Sequence, residues 1–140
     1  ISSPTSDVGG GTVLLKMATP RRYKDPDYMR RVAGDIYGGA LRASPELVRK
    51  HLCHVRWSSD YGYYLQLVAG FGWSSLPWLR LLAQPTLVMA GTDDPLVPAA
   101  NAKILAALIP DSRLVAIDDG HLFLVTSAAD SARCIADFLH

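Results

Sequence analysis

A strand–helix–strand pattern between Gln84 and Phe123 limits this chain more than any other stretch. Pro85-Thr86-Leu87-Val88-Met89-Ala90 is a short apolar run with β-branched members, which predicts a strand buried on both faces. Gly91-Thr92-Asp93-Asp94-Pro95 breaks it with turn residues. From Val97 to Ile109 the apolar residues Ala100, Ile104, Leu105, Leu108 and Ile109 recur at helical spacing, and Pro110-Asp111-Ser112 stops the helix. Leu114-Val115-Ala116-Ile117 predicts a second strand, closed by Asp118-Asp119-Gly120-His121. Two strands joined by one helix form the unit of a parallel sheet. Chemistry in such sheets collects beyond the carboxyl ends of the strands. Asp94 and His121 both fall there and are expected to meet.

An acid after one strand and a Gly-His after the next is the acid–base half of a nucleophilic triad. The carboxylate fixes the imidazole tautomer, and the imidazole carries a proton between nucleophile and leaving group. Asp94 is preferred to Asp93 because it precedes Pro95 at the end of the loop. Asp93 is expected to face solvent or bind backbone amides, and Asp118 and Asp119 adjoin His121 too closely to face its ring. The competing reading makes Asp94 a turn residue and His121 a packing residue. No Gly-x-Ser-x-Gly occurs. The nearest approach, Gly72-Trp73-Ser74-Ser75-Leu76, lacks the second glycine and follows no strand.

The rest of the chain is helical in pattern. Ile1 to Gly11 is rich in Ser, Gly and Pro, and residues 1–17 are expected to be a loop and the remnant of a core strand. The start at Ile1 fits a processed or truncated product as well as a mature one. Asp25-Pro26-Asp27 and Ser44-Pro45-Glu46 are helix starts, each with a cap residue, a proline and an acid. Met29, Val32 and Ile36 follow the first, and Gly38-Gly39 ends it. Leu47, Val48, His51, Leu52 and Val55 follow the second. Residues 61–69 are apolar and aromatic nearly all round, which predicts a buried helix. Ser74 or Ser75 is placed to cap a short helix containing Trp78. Ala128, Ala132, Ile135 and Leu139 mark a terminal helix. The layout is a helical half, residues 18–83, and an α/β half, residues 84–140. Two strands do not make a stable parallel sheet, so pairing with strands outside this sequence is expected.

Composition excludes several classes. A net charge of +1 argues against nucleic acid or an anionic membrane as partner, and Arg21-Arg22-Tyr23-Lys24 is expected to be solvated or internally paired. Cys53 and Cys134 have no metal spacing, and His51 and His54 find no further ligands in sequence, so no metal is expected. Two cysteines suggest a reducing, intracellular setting, and no apolar run is long enough to span a membrane.

The chain also resembles the C-terminal half of intracellular poly(3-hydroxyalkanoate) depolymerases acting on medium-chain-length polyesters. The resembling segments are Pro20-Arg21-Arg22-Tyr23, Asp35-Ile36-Tyr37-Gly38-Gly39, Gly62-Tyr63-Tyr64, Gly72-Trp73, Leu76-Pro77-Trp78-Leu79, Gln84 to Gly91, Asp93-Asp94-Pro95 and Ile117 to Phe123. The resemblance implies the C-terminal part of an α/β-hydrolase fold with a helical lid over residues 18–83. It implies Asp94 as triad acid, His121 as general base, no cofactor, and a nucleophile on the missing N-terminal half. It also implies cytoplasmic action at polyester granules, with Tyr63, Tyr64, Phe71, Trp73 and Trp78 as candidate apolar cover. Two readings compete with it. One is another α/β-hydrolase, a small-ester esterase or a cofactor-free haloperoxidase-like enzyme. The other is a non-catalytic granule-binding module.

Overall fold

The computed structural model describes residues 8–52, 59–70 and 74–140, with side chains from residue 11. Phe71, Trp73, Cys53, His54 and Val55 lie outside the described residues, as does the Gly72-Trp73 part of the near-miss serine motif. Six helices come first: α1 (Val8–Met17), α2 (Arg21–Lys24), α3 (Pro26–Tyr37), α4 (Gly39–Ala43), α5 (Pro45–Leu52) and α6 (Asp60–Gly70). A 3₁₀ turn, Leu76–Leu81, leads to β1 (Thr86–Gly91), α7 (Ala99–Leu108), β2 (Ser112–Ile117), α8 (Phe123–Thr126) and α9 (Ala128–Leu139).

The start signals work as read. The Asp25 carboxylate accepts from the Asp27 and Tyr28 amides, and the Ser44 hydroxyl accepts from the Leu47 amide. Capping satisfies amides that a helix cannot satisfy itself. Met29, Val32, Ala33, Ile36 and Tyr37 of α3 then pack with Leu41 and Val48 in one helical core. Gly38 and Gly39 take φ of 65° and 50°, which turns the chain sharply from α3 into α4. At the 3₁₀ turn, the Ser74 hydroxyl accepts from the Leu76 amide while Ser75 makes no side-chain cap.

The expected strand remnant within residues 1–17 is instead a helix over its described part. Val13 is buried and Met17 packs on the α3 core, a spacing of four that a helix places on one face. Lys16 bridges to Asp35 at 2.6 Å, and the Tyr63 hydroxyl donates to the Met17 carbonyl. Tertiary contact thus overrides a β-leaning Val-Leu-Leu run.

In the α/β half, β1 and β2 pair in parallel with Thr86 opposite Ser112 and Gly91 opposite Ile117. Val88, Ala102 and Ile109 form a second core, covered by Leu79, Leu82 and Leu105. Burial is thinner than the apolar pattern predicts. Leu114 on β2 is exposed, as are Ile135 and Leu139 on α9. The prediction of a buried helix over 61–69 also fails in this chain. Only Tyr63 of α6 is buried, and Tyr61, Tyr64, Leu65, Leu67 and Val68 face outward. Among the described residues the sheet has only these two strands. A parallel sheet normally carries cover on both faces, so the uncovered apolar residues mark where further structure belongs.

Expressed by itself, the chain is expected to bind an apolar dye such as ANS and to aggregate at micromolar concentration. A monodisperse monomer with cooperative urea unfolding and no dye binding would contradict this.

Candidate active site

The carboxyl ends of β1 and β2 bring Asp94 and His121 together. His121 Nδ1 lies 2.8 Å from Asp94 Oδ2. The other oxygen, Oδ1, accepts from the Leu96 and Val97 amides at 2.9 and 2.8 Å. Those two bonds fix the carboxylate in an Asx-type turn and leave one oxygen for the imidazole. An ionised carboxylate accepts from Nδ1–H, which leaves Nε2 as the nitrogen able to take a proton. The Asp94 side chain is 6% exposed and that of His121 32%, so the acid is sealed while the base stays within reach.

The neighbouring acids divide other tasks. Asp93 accepts from the Gly39 amide at 2.8 Å and from Arg42 at 3.1 Å, as its position at the start of the loop suggested. Asp118 accepts from the Thr92 hydroxyl. Asp119 turns away from the ring and is buried. Its Oδ1 accepts from the Ala40 and Gly120 amides, and its Oδ2 from the hydroxyls of Thr126 and Ser127 at 2.5 and 2.6 Å. Burial raises its pKa, but the Ser127, Thr126, Ala40 and Gly120 donors outweigh that and hold it below the ordinary value of 3.8.

Sequence reasoning missed this function of Asp119, and it missed Tyr37. The Tyr37 carbonyl accepts from the His121 amide at 2.7 Å, and its ring stacks on the imidazole with centroids 6.2 Å apart. The approach is close because glycines meet there. A Cβ on Gly39 would lie 2.0 Å from the Gly120 nitrogen, and one on Gly120 would lie 2.1 Å from the Tyr37 carbonyl oxygen. The available signal was the joint presence of Tyr37-Gly38-Gly39, Asp119-Gly120-His121 and the Thr126-Ser127 pair. Without a structure, nothing in sequence separation links residue 39 to residue 120.

Comparison with known proteins places this geometry. A family model described as alpha/beta hydrolase fold matches residues 41–128. The chain belongs to the α/β-hydrolase fold family. It is 51% identical over 131 residues, 94% of its length, to a poly(3-hydroxyalkanoate) depolymerase of Ectopseudomonas oleovorans, and spans 46% of that protein. Its fold is similar to that of a thermophilic esterase from Thermogutta terrifontis, with a TM-score of 0.70 and 22% identity, covering 99% of this chain and 52% of the esterase. An enol-lactonase from Burkholderia xenovorans LB400 aligns with a TM-score of 0.60 and 23% identity, covering 94% of this chain and 48% of that one. The fold is thus the C-terminal part of an α/β-hydrolase, as the resemblance implied. The uncovered apolar residues of β2 and α9 fit a chain that matches about half of each relative.

Two outcomes follow for a hydrolase core completed by the rest of its sheet. Gly39→Ala is expected to cost at least about 2 kcal/mol, since it adds a backbone clash to a positive φ; a urea midpoint unchanged from wild type would contradict it. Asp119→Asn is expected to lose about 1.5–3 kcal/mol at neutral pH, the range for hydrogen bonds to a charged group. The sign with pH follows from the lowered folded-state pKa. Wild type has this stability above pH about 3.9, the unfolded value, and loses it as acid protonates the folded carboxyl. The gap between wild type and Asp119→Asn should therefore narrow below that pH; a gap that widens there would contradict it.

Proposed function

We propose that this chain supplies the acid and base of a serine ester hydrolase that cleaves 3-hydroxyacyl ester bonds in medium-chain polyhydroxyalkanoate. The observation carrying the reading is the 2.8 Å Asp94–His121 bond at the carboxyl ends of two adjacent parallel strands. Support for the substrate comes from the likeness to a protein named as a poly(3-hydroxyalkanoate) depolymerase.

On this reading the nucleophilic serine and the oxyanion hole come from sequence outside this chain. In the reaction, His121 Nε2 takes the proton of the serine hydroxyl as its oxygen attacks the ester carbonyl, and the imidazolium forms against Asp94. The same proton passes to the departing alkoxide, the 3-hydroxyl of the next unit, as the C–O bond breaks. Water, deprotonated by His121, then attacks the acyl-serine, and His121 returns that proton to the serine oxygen as the bond to it breaks and the acid leaves. Asp94 keeps its charge throughout and holds the ring in the useful tautomer. No cofactor takes part in this sequence of steps.

The helical segment over residues 18–83 acts as the lid on this reading. Tyr64 and Trp78 are exposed and suit an apolar polymer, whereas Tyr63 is buried and serves the fold. Action at cytoplasmic polyester granules follows from that substrate. Among the described residues no helix is long and apolar enough to cross a membrane.

The test is kinetic, in the full-length hydrolase carrying this chain. Asp94→Asn is expected to lower turnover of polyester granules by about 10⁴, the loss seen when a triad acid is neutralised with geometry kept. Asp93→Asn, which only loosens the Gly39 and Arg42 contacts, should cost tenfold at most, roughly the effect of one exposed charged contact. Equal, mild losses would defeat the assignment of Asp94. Hydrolysis of short p-nitrophenyl esters without hydrolysis of granules would leave an esterase and remove the polyester.

A further inference from the structure

The basic cluster after Pro20 resolves into three different side chains. Arg21 pairs with Asp25 at 3.0 Å and Lys24 with Asp60 at 2.5 Å, both at the surface. Arg22 is buried, with 7% of its surface exposed, and makes no ion pair among the described residues. Its Nη1 donates to the Tyr37 hydroxyl at 3.2 Å, and its buried Nε has no hydrogen-bond partner. The guanidinium lies over the Tyr23 ring, 4.5 Å from the centroid, and within 5.8 Å of that of Tyr63. Ring faces offset part of the cost of burying a cation, but they accept no N–H in the guanidinium plane. A buried charge with an unused donor calls for an anion.

A cavity of about 140 Å³ opens beside it. Arg22, Arg30 and Arg49 supply its charge, and Met29, Val48 and Leu52 part of its apolar lining. Arg30 and Arg49 each bridge to an acid on their own helix, Asp27 and Glu46. That leaves Arg22 as the cation in the wall without a carboxylate. A guanidinium fork fits a carboxylate through two parallel bonds, and an apolar lining fits a hydrocarbon chain.

We propose that this cavity binds the carboxylate of a medium-chain acyl acid, with Arg22 holding the head group and Met29, Val48 and Leu52 the start of the chain. The choice of an acyl acid rests on the proposed ester hydrolysis, which releases one at every turnover. The site lies one side chain from the proposed base, because Tyr37 takes the Arg22 hydrogen bond at its hydroxyl and stacks on His121 with its ring. An acid bound here is therefore positioned to report product to the active site through Tyr37.

Octanoate, octan-1-ol and inorganic phosphate are the probes, titrated into the full-length hydrolase by calorimetry. Octanoate is expected to saturate, with octan-1-ol and phosphate each at least about tenfold weaker, the scale of a charge-assisted hydrogen bond. Arg22→Lys, which keeps the charge and loses the fork, should weaken octanoate about tenfold. Arg49→Gln, at an exposed position, should weaken it a few-fold, the scale of an exposed charge contact. In wild type, NMR of the Arg22 Nε–H should show a downfield shift with octanoate; this readout does not depend on any variant folding. Equal binding of octan-1-ol, or an unmoved Nε–H, would overturn the site. Phosphate binding as tight as octanoate would overturn the acyl acid. Polyester hydrolysis without octanoate binding would remove this site and keep the activity; octanoate binding without hydrolysis would do the reverse.

Discussion

The structure depends on a seam of backbone between Tyr37-Gly38-Gly39-Ala40 and Asp119-Gly120-His121. Two chain segments approach there more closely than any side chain permits, and Gly39 and Gly120 make the approach possible. Close contact alone would leave buried amides without partners. The Asp119 carboxylate satisfies those of Ala40 and Gly120, and the Tyr37 carbonyl satisfies that of His121. Asp93 closes the other side by accepting from Gly39. The Ala40 and His121 bonds join the helical half to the loop that carries the imidazole, and the Gly39 bond joins it to the loop that carries Asp94. The helical half is therefore part of the support of His121.

That arrangement separates two kinds of control over one imidazole. Asp94 acts on the side chain: it holds Nδ1 and sets which nitrogen is available. Asp119 and Tyr37 act on the backbone, fixing where the ring starts from. On the proposed function, preorganisation of this kind lowers the cost of reaching the reactive geometry. It also explains why four acids crowd two short loops without sharing one task. Asp94 faces the ring, Asp93 and Asp119 face amides, and Asp118 takes a threonine hydroxyl.

Much of this was legible in the sequence where the signal is local. The β1–α7–β2 unit, the Asp25 and Ser44 starts, the α3 stripe and the choice of Asp94 over Asp93 all rest on residues close in the chain. The failures share one cause. Residues 1–17 were expected to hold a core-strand remnant, yet the shape of their described part is set by α3 and by Tyr63, which are distant in sequence. The α6 helix reads as buried because it is apolar all round, and its burial depends on partners this chain does not supply among the described residues. Asp119 and Tyr37 were missed for the same reason. Their tasks exist only across the seam.

Arg22 shows what the same reasoning yields at a position that composition had discounted. In the sequence it is one of three basic residues within the four positions Arg21 to Lys24, and the ordinary expectation for such a run is solvent. Its neighbours on either side meet that expectation, because a helical turn sends Arg21 and Lys24 outward to Asp25 and Asp60. The turn sends Arg22 inward, into tyrosine faces and against Tyr37. Dispensing with the charge would be easy, since a leucine or methionine would fill the same apolar surroundings at no electrostatic cost. A cation kept there, with a donor unused and a cavity beside it, is explained by what the cavity takes in. Tyr37 then belongs to both halves of the argument, as the residue through which a bound acid and the Asp94–His121 pair touch one another.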